Sequence, residues 1–142
     1  MSSDDYIIDP RFPEQPINLK DYGPSPFVVN IAEATKQNVF YRVALWTGEY
    51  LQLTLMSIDV NDEIGLEVHD DHDQFIRIEK GRGMVMMGDR RDQLDFRAQV
   101  YDGDAIFIPA GQWHNLINTG RRPLKLYSIY APPEHPRGTV DE

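Results

Sequence analysis

The chain has 142 residues, of which 41% are hydrophobic and 26% charged, with a formal net charge of -9 and no cysteine. That is the size and composition of a single globular domain with a real core. The acidic balance argues against nucleic acid or an anionic membrane as partner, and the missing cysteines exclude disulfides, thiolate metal sites and cysteine nucleophiles.

In chain order, Met1-Ser-Ser-Asp-Asp is acidic where a signal peptide would be basic, and no apolar core segment follows it. No stretch approaches the ~20 apolar residues of a membrane span. A cytoplasmic location is therefore the expectation. Residues 1–29 hold five of the ten prolines, at positions 10, 13, 16, 24 and 26. This density rules out a helix or a central strand and predicts an arm that drapes along the domain or reaches a second subunit. Its apolar side chains Tyr6, Ile7, Ile8 and Phe12 need a surface to cover. Asn30 to Lys36 reads as a short helix, with Asn30 as its cap and Glu33 in the capping-box position.

From Val39 onward the pattern turns to β. Phe40 to Trp46 passes through Thr47-Gly48 into Tyr50 to Ile58, where Leu51, Leu53 and Leu55 alternate with Gln52, Thr54 and Met56. Further strands are predicted at Glu67–His69, Gln74–Glu79, Gly83–Met87, Arg97–Tyr101, Ala105–Ile108, His114–Asn118 and Leu124–Tyr130. Turn residues separate them, among them Asp70-Asp71, Gly81, Gly88-Asp89, Asp102-Gly103 and Thr119-Gly120. Many short strands with regular turns and no long helix predict a barrel or sandwich.

Two motifs sharpen this reading. Gly103, Pro109, Gly111, His114 and Asn118 fall at the spacing G-x5-P-x-G-x2-H-x3-N. Gly103 turns into the apolar strand Ala105–Ile108, Pro109 and Gly111 make a tight turn, and His114 opens a new strand on the face shared by Leu116 and Asn118. A histidine fixed behind a rigid turn and facing an interior suits a metal ligand. Upstream, Asn61-x5-Glu67-x-His69-x4-Gln74-x6-Gly81 keeps the spacing of G-x5-H-x-H-x4-E-x6-G with three identities changed. Asn61 replaces a glycine that asparagine imitates well at a left-handed turn. Glu67 and His69, two apart on a strand, share one face.

On these two motifs the chain resembles the cupin superfamily over about residues 38 to 136. Gly65-Leu-Glu67-Val-His69, Asp73-Gln74-Phe-Ile-Arg-Ile-Glu79 and Tyr127-Ser-Ile-Tyr-Ala-Pro-Pro-Glu-His135-Pro narrow the likeness. They point to small single-domain bacterial cupins of the cupin 2 type, some labelled mannose-6-phosphate isomerase-like. The resemblance implies an all-β double-stranded β-helix, a jelly-roll barrel over residues 38–131, preceded by the arm and short helix of residues 1–37 and followed by a tail at 132–142. It also implies pairing as a homodimer.

Carried over by position, the metal ligands of the family become Glu67, His69, Gln74 and His114. Three neutral histidines and one glutamate carry a charge of about -1; Glu67, two neutral histidines and Gln74 carry the same, so the two substitutions compensate. Nitrogen and oxygen ligands suit Zn, Mn, Fe or Ni. Glu67 and Gln74 simply hydrogen-bonding the two histidines in a metal-free polar core is the competing arrangement. The implied function is a metal-dependent isomerase, epimerase or lyase acting on a small polar, sugar-like or carbonyl metabolite, with Glu67 and His114 as catalytic residues. The metal would polarise a carbonyl or hydroxyl oxygen; Glu67, if free of it, would be the base. Two alternatives are an iron-dependent dioxygenase using Glu67, His69 and His114, and a non-catalytic ligand-binding cupin. A phosphate substrate needs a cationic cradle, which Arg77, Arg90-Arg91 and Arg121-Arg122 do not assure. His72 is expected in solvent, with a swing inward from its loop as the alternative, and the acidic turn Asp70, Asp71 and Asp73 is expected in solvent as well. His135, between Pro133 and Pro136, is expected in a surface tail, with a tail curling over the barrel mouth as the alternative.

Overall fold

Among the described residues every strand pairing is antiparallel. A computed structural model describes residues 16–142, and the arm residues Tyr6, Ile7, Ile8 and Phe12 lie outside the described residues. A short helix, α1 (Ile31–Gln37), is followed by β1 (Arg42–Thr47), β2 (Gln52–Ile58), β3 (Asp73–Lys80), β4 (Arg82–Gly88), β5 (Phe96–Tyr101), β6 (Ala105–Ile108), β7 (Trp113–Asn118), β8 (Leu124–Ala131) and β9 (Val140–Asp141). They form a six-stranded sheet in the order β6-β3-β8-β2-β1-β9 and a three-stranded sheet β5-β4-β7. This is the expected all-β jelly roll. No helix among the described residues is long and apolar enough to cross a membrane.

The helix starts where its cap predicts: Asn30 Oδ1 accepts the Glu33 amide at 3.1 Å. Strand β9 lies outside the sequence expectation. Its two residues pair with Arg42 and Val43 and extend the edge of the larger sheet. The expected strand Glu67–His69 is not regular either. Residues 62–67 instead run beside β7 with isolated bridges Glu63↔Ile117 and Glu67↔His114. Gly65, at φ 101, interrupts the ladder between them.

Strand alternation sorts the larger sheet into two faces. Val43, Leu45 and Leu55 turn outward to Ala34 of α1, where Ile17, Leu19, Tyr22 and Phe27 cover them. The opposite face looks into the barrel. Its apolar residues, including Met56, Ile76, Ile78 and Leu126, meet Val85, Met87 and Leu116 of the smaller sheet.

The interior changes character along its length. Ile78, Leu126 and Met56 lie side by side on β3, β8 and β2, and one pleat further on Ile76, Ser128 and Thr54 are level. At the next level Gln74, Tyr130 and Gln52 are neighbours. All are buried. The same step from apolar to polar occurs on β7, from Leu116 to His114. One end of the barrel is thus a hydrophobic plug, and the other is a desolvated polar chamber whose hydrogen bonds must be met inside.

Candidate metal centre

The chamber is built around a short turn. Gln112 donates to the Pro109 carbonyl at 3.2 Å, and Gly111 takes φ 87, the left-handed value that a type II turn needs at its third residue. The Gly111 amide also donates to the His69 carbonyl at 2.8 Å, tying the turn to the segment that carries the other candidate residues. One bridge further, Glu67 and His114 exchange both backbone hydrogen bonds, at 3.0 and 2.9 Å.

Glu67, His69 and His114 converge as expected. Glu67 Oε1 lies 3.2 Å from His69 Nε2 and 3.3 Å from His114 Nε2. Among the described residues these three form one of two His/Glu clusters able to hold a metal ion. Gln74 projects from β3 into the same chamber. Its Nε2 donates to Ser128 Oγ at 2.9 Å, while its Oε1 is buried with no partner.

Tautomer logic makes the centre more specific. His114 Nδ1 sits 2.9 Å from the Gln112 carbonyl oxygen, which only accepts, so Nδ1 carries a proton. In a neutral imidazole, Nε2 is then a bare lone pair facing the Glu67 carboxylate. Two acceptors at 3.3 Å repel unless a proton or a cation lies between them. Metal-ligating histidines are held in this manner, with the far nitrogen donating to a carbonyl or carboxylate. Separations of 3.2 and 3.3 Å are also those of donor atoms sharing one ion about 2.1 Å from each, at angles of roughly 100°. The residues present therefore fit a divalent ion.

Where protons and not an ion fill these gaps, the imidazoles are the donors and Glu67 the acceptor. Burial pushes the Glu67 carboxyl up, but the hydrogen bonds and charges of His114 and His69 outweigh it and hold it at about 2. The hydrogen bond to Glu67 raises the His69 imidazole against the opposing effect of burial, and the charges of Glu134 and Asp71 add to the rise. Tyr130, edge-on to His69, is raised to about 12, first by burial and then by the Glu67 charge.

Several neighbours were not legible in the sequence. His72, expected in solvent, is 6% exposed. Its ring stacks on His69 with centroids 4.6 Å apart. Glu134, unremarked in the tail, reaches both histidines. The tail does curl over the polar end. Gln52 Oε1 accepts the Glu134 and His135 amides at 3.1 and 2.8 Å, and Gln52 Nε2 donates to the His135 carbonyl at 2.8 Å. The His135 ring lies 3.4 Å from the Tyr130 hydroxyl, and burial, aided by the Arg42 charge, lowers its basicity.

Arg42 was missed as well. It shares the inner face of β1 with Ala44, opposite to Val43 and Leu45, so strand parity carried the signal. Its side chain is 12% exposed, pairs with Asp141 at 3.1 Å, and leaves Nε buried without a partner. Arg77 has the outward face expected of it and lies beside Glu79.

Residues 54–130 match the family model described as "Cupin domain". The chain is 64% identical over 124 residues to the uncharacterized protein YrkC of Bacillus subtilis, covering 87% of this chain and 67% of that protein. It is 42% identical over 116 residues to the uncharacterized protein L612 of Acanthamoeba polyphaga mimivirus, covering 81% and 71%. The crystal structure of BH2720 from Bacillus halodurans superposes with a TM-score of 0.87 at 63% identity, covering 87% of this chain and 94% of that one.

Proposed function

The chain belongs to the cupin domain family, and on that premise we propose that it is a small metal-dependent enzyme holding a divalent ion through Glu67, His69, Gln74 and His114. Its substrate is a small polar metabolite with a carbonyl or sugar-like hydroxyl group, and its chemistry is that of an isomerase, epimerase or lyase. The same reading makes it a cytoplasmic homodimer, with the barrel at 38–131, an arm and helix at 1–37 and a tail at 132–142.

The observation that carries the metal is His114. With Nδ1 committed to the Gln112 carbonyl, its Nε2 faces the Glu67 carboxylate across 3.3 Å. Gln74 adds a buried, unpartnered amide oxygen on the chamber wall. When bound, the ion supplies Lewis-acid polarisation of the substrate oxygen and stabilises the negative charge that develops there.

The residues divide the remaining work. A carboxyl held at about 2 is a weak proton acceptor near neutrality, which supports Glu67 as ligand over Glu67 as free base. Gln112 fixes the His114 ring, and the Glu67–His114 backbone pair fixes the distance between their side chains. The covering tail and the apolar plug exclude water from the inner end, which strengthens every charge interaction in the chamber.

A second reading has its own support. Glu67, His69 and His114 form a two-histidine, one-carboxylate set, the arrangement of oxygen-dependent iron enzymes. Elemental analysis of the purified protein, with an absorption spectrum and an oxygen electrode, separates the two. Zinc, manganese or nickel without oxygen uptake supports the isomerase or lyase. Iron with substrate-dependent oxygen uptake supports the alternative. A protein that takes up no divalent ion contradicts both.

A further inference from the structure

His69 presents its two ring nitrogens to two different clusters. Nε2 faces Glu67, whereas Nδ1 faces Glu134 Oε2 at 3.5 Å. On the Glu134 side stands His72, whose side chain is 4% exposed and whose Nε2 lies 3.1 Å from Glu134 Oε1. That contact is off the line a hydrogen bond needs, and Nε2 is buried without a partner. His72 Nδ1 is 2.8 Å from Asp71 Oδ1. A carboxylate on the far nitrogen of a buried histidine is the support that metal-ligating imidazoles commonly have. It fixes the tautomer that leaves Nε2 as a bare lone pair close to a second carboxylate.

From this geometry we infer that His69, His72 and Glu134 form a second divalent-cation position, which goes beyond the site proposed above. The donor atoms of the three all lie within 4.8 Å of one another. A nitrogen–oxygen separation of 3.1 Å is what two atoms about 2.1 Å from one ion subtend at roughly 95°. Two imidazoles and one carboxylate suit zinc, cobalt or nickel better than calcium or magnesium, which prefer oxygen.

The tail delivers the carboxylate. Gln52, fully buried on β2, accepts the amides of Glu134 and His135 and fixes the backbone from which the Glu134 side chain reaches inward. His69 offers Nε2 to one position and Nδ1 to the other, so the two positions would share a ligand.

The test is a cobalt(II) titration of metal-free protein, followed by visible absorption and by elemental analysis after gel filtration. Wild type is expected to take up a second equivalent per chain. His72→Ala and Glu134→Gln should each lose the second equivalent and keep the first. His114→Ala should lose the first and keep the one at His72. Glu134→Gln is isosteric and sits on the accessible tail, so it reports binding even if His72→Ala fails to fold. Identical stoichiometry and spectra for wild type and Glu134→Gln overturn the second position. Unchanged uptake in His114→Ala counts against the first position alone, so the two failures are distinguishable.

Discussion

Glu67 and His114 are locked to each other twice. Their backbones exchange hydrogen bonds at 3.0 and 2.9 Å, and their side chains meet at 3.3 Å on the same face of that bridge. The carboxylate and imidazole are therefore held by a backbone bridge to β7, which supplies the rigidity that a metal centre requires.

Removing one member should empty the centre without dissolving the barrel. His114→Ala is expected to lose bound metal while retaining its β-sheet circular dichroism. It leaves the Gln112 carbonyl unpartnered, so stability should fall by about 1–3 kcal/mol. Unaltered metal stoichiometry in a folded variant would count against the assignment of His114.

The charge balance of the centre is adjustable in both directions. Gln74→Glu restores a carboxylate beside the buried amide oxygen position and should tighten divalent binding. Glu67→Gln removes the carboxylate that faces both histidines and should weaken it at least tenfold, about 1.4 kcal/mol. Competition with a chelator measures both, and equal affinities in all three proteins would show that neither residue touches the ion.

Away from the centre, Asp21 is a structural knot. Its carboxylate accepts the amides of Gly23 at 2.9 Å, Thr47 at 3.0 Å and Gly138 at 2.9 Å, and the Thr47 hydroxyl. Burial acts to raise its pKa, but these hydrogen bonds together bring it below the ordinary aspartate value. A depressed folded-state pKa contributes stability that is complete above the unfolded value and is lost as pH falls through the folded one. Asp21→Asn should therefore be less stable near neutrality by about 2 kcal/mol, with the gap to wild type closing as pH falls through the depressed folded-state value of Asp21. Denaturant melts at pH 7 and in acid would show it, and a gap constant with pH would refute it.

Deleting residues 1–29 should lower the melting temperature sharply. Ile17, Leu19, Tyr22 and Phe27 pack on the outer face of the larger sheet, and a partly buried apolar side chain contributes on the order of 1 kcal/mol. Light scattering on the same variant tests the homodimer. An unchanged melting temperature and unchanged mass together would mean that the segment neither docks nor joins subunits.

Strand periodicity, turn chemistry and residues two apart on one face were enough to read a barrel or sandwich, the helix cap at Asn30 and the shared face of Glu67 and His69. The jelly roll itself, and His114 joining that pair, came from the family resemblance that the two spaced motifs carry. Asn61, at φ 68, takes the left-handed turn expected of it. What stayed hidden depends on contacts distant in sequence. His72 looked solvated because the acidic turn around it is polar, yet a tail more than sixty positions away folds back to cover it. Glu134 gains its role only through Gln52, whose burial no local pattern announces. Strand β9 is too short for any periodicity to register.

One divalent ion is expected among Glu67 Oε1, His69 Nε2 and His114 Nε2. Anomalous diffraction from crystals of the metal-loaded protein, recorded on both sides of that metal's absorption edge, tests it most directly. An edge-dependent peak is expected within bonding distance of all three atoms, with the Gln74 amide oxygen turned toward it. A loaded crystal with no such peak there, and Glu67 still in direct contact with both histidines, would contradict it.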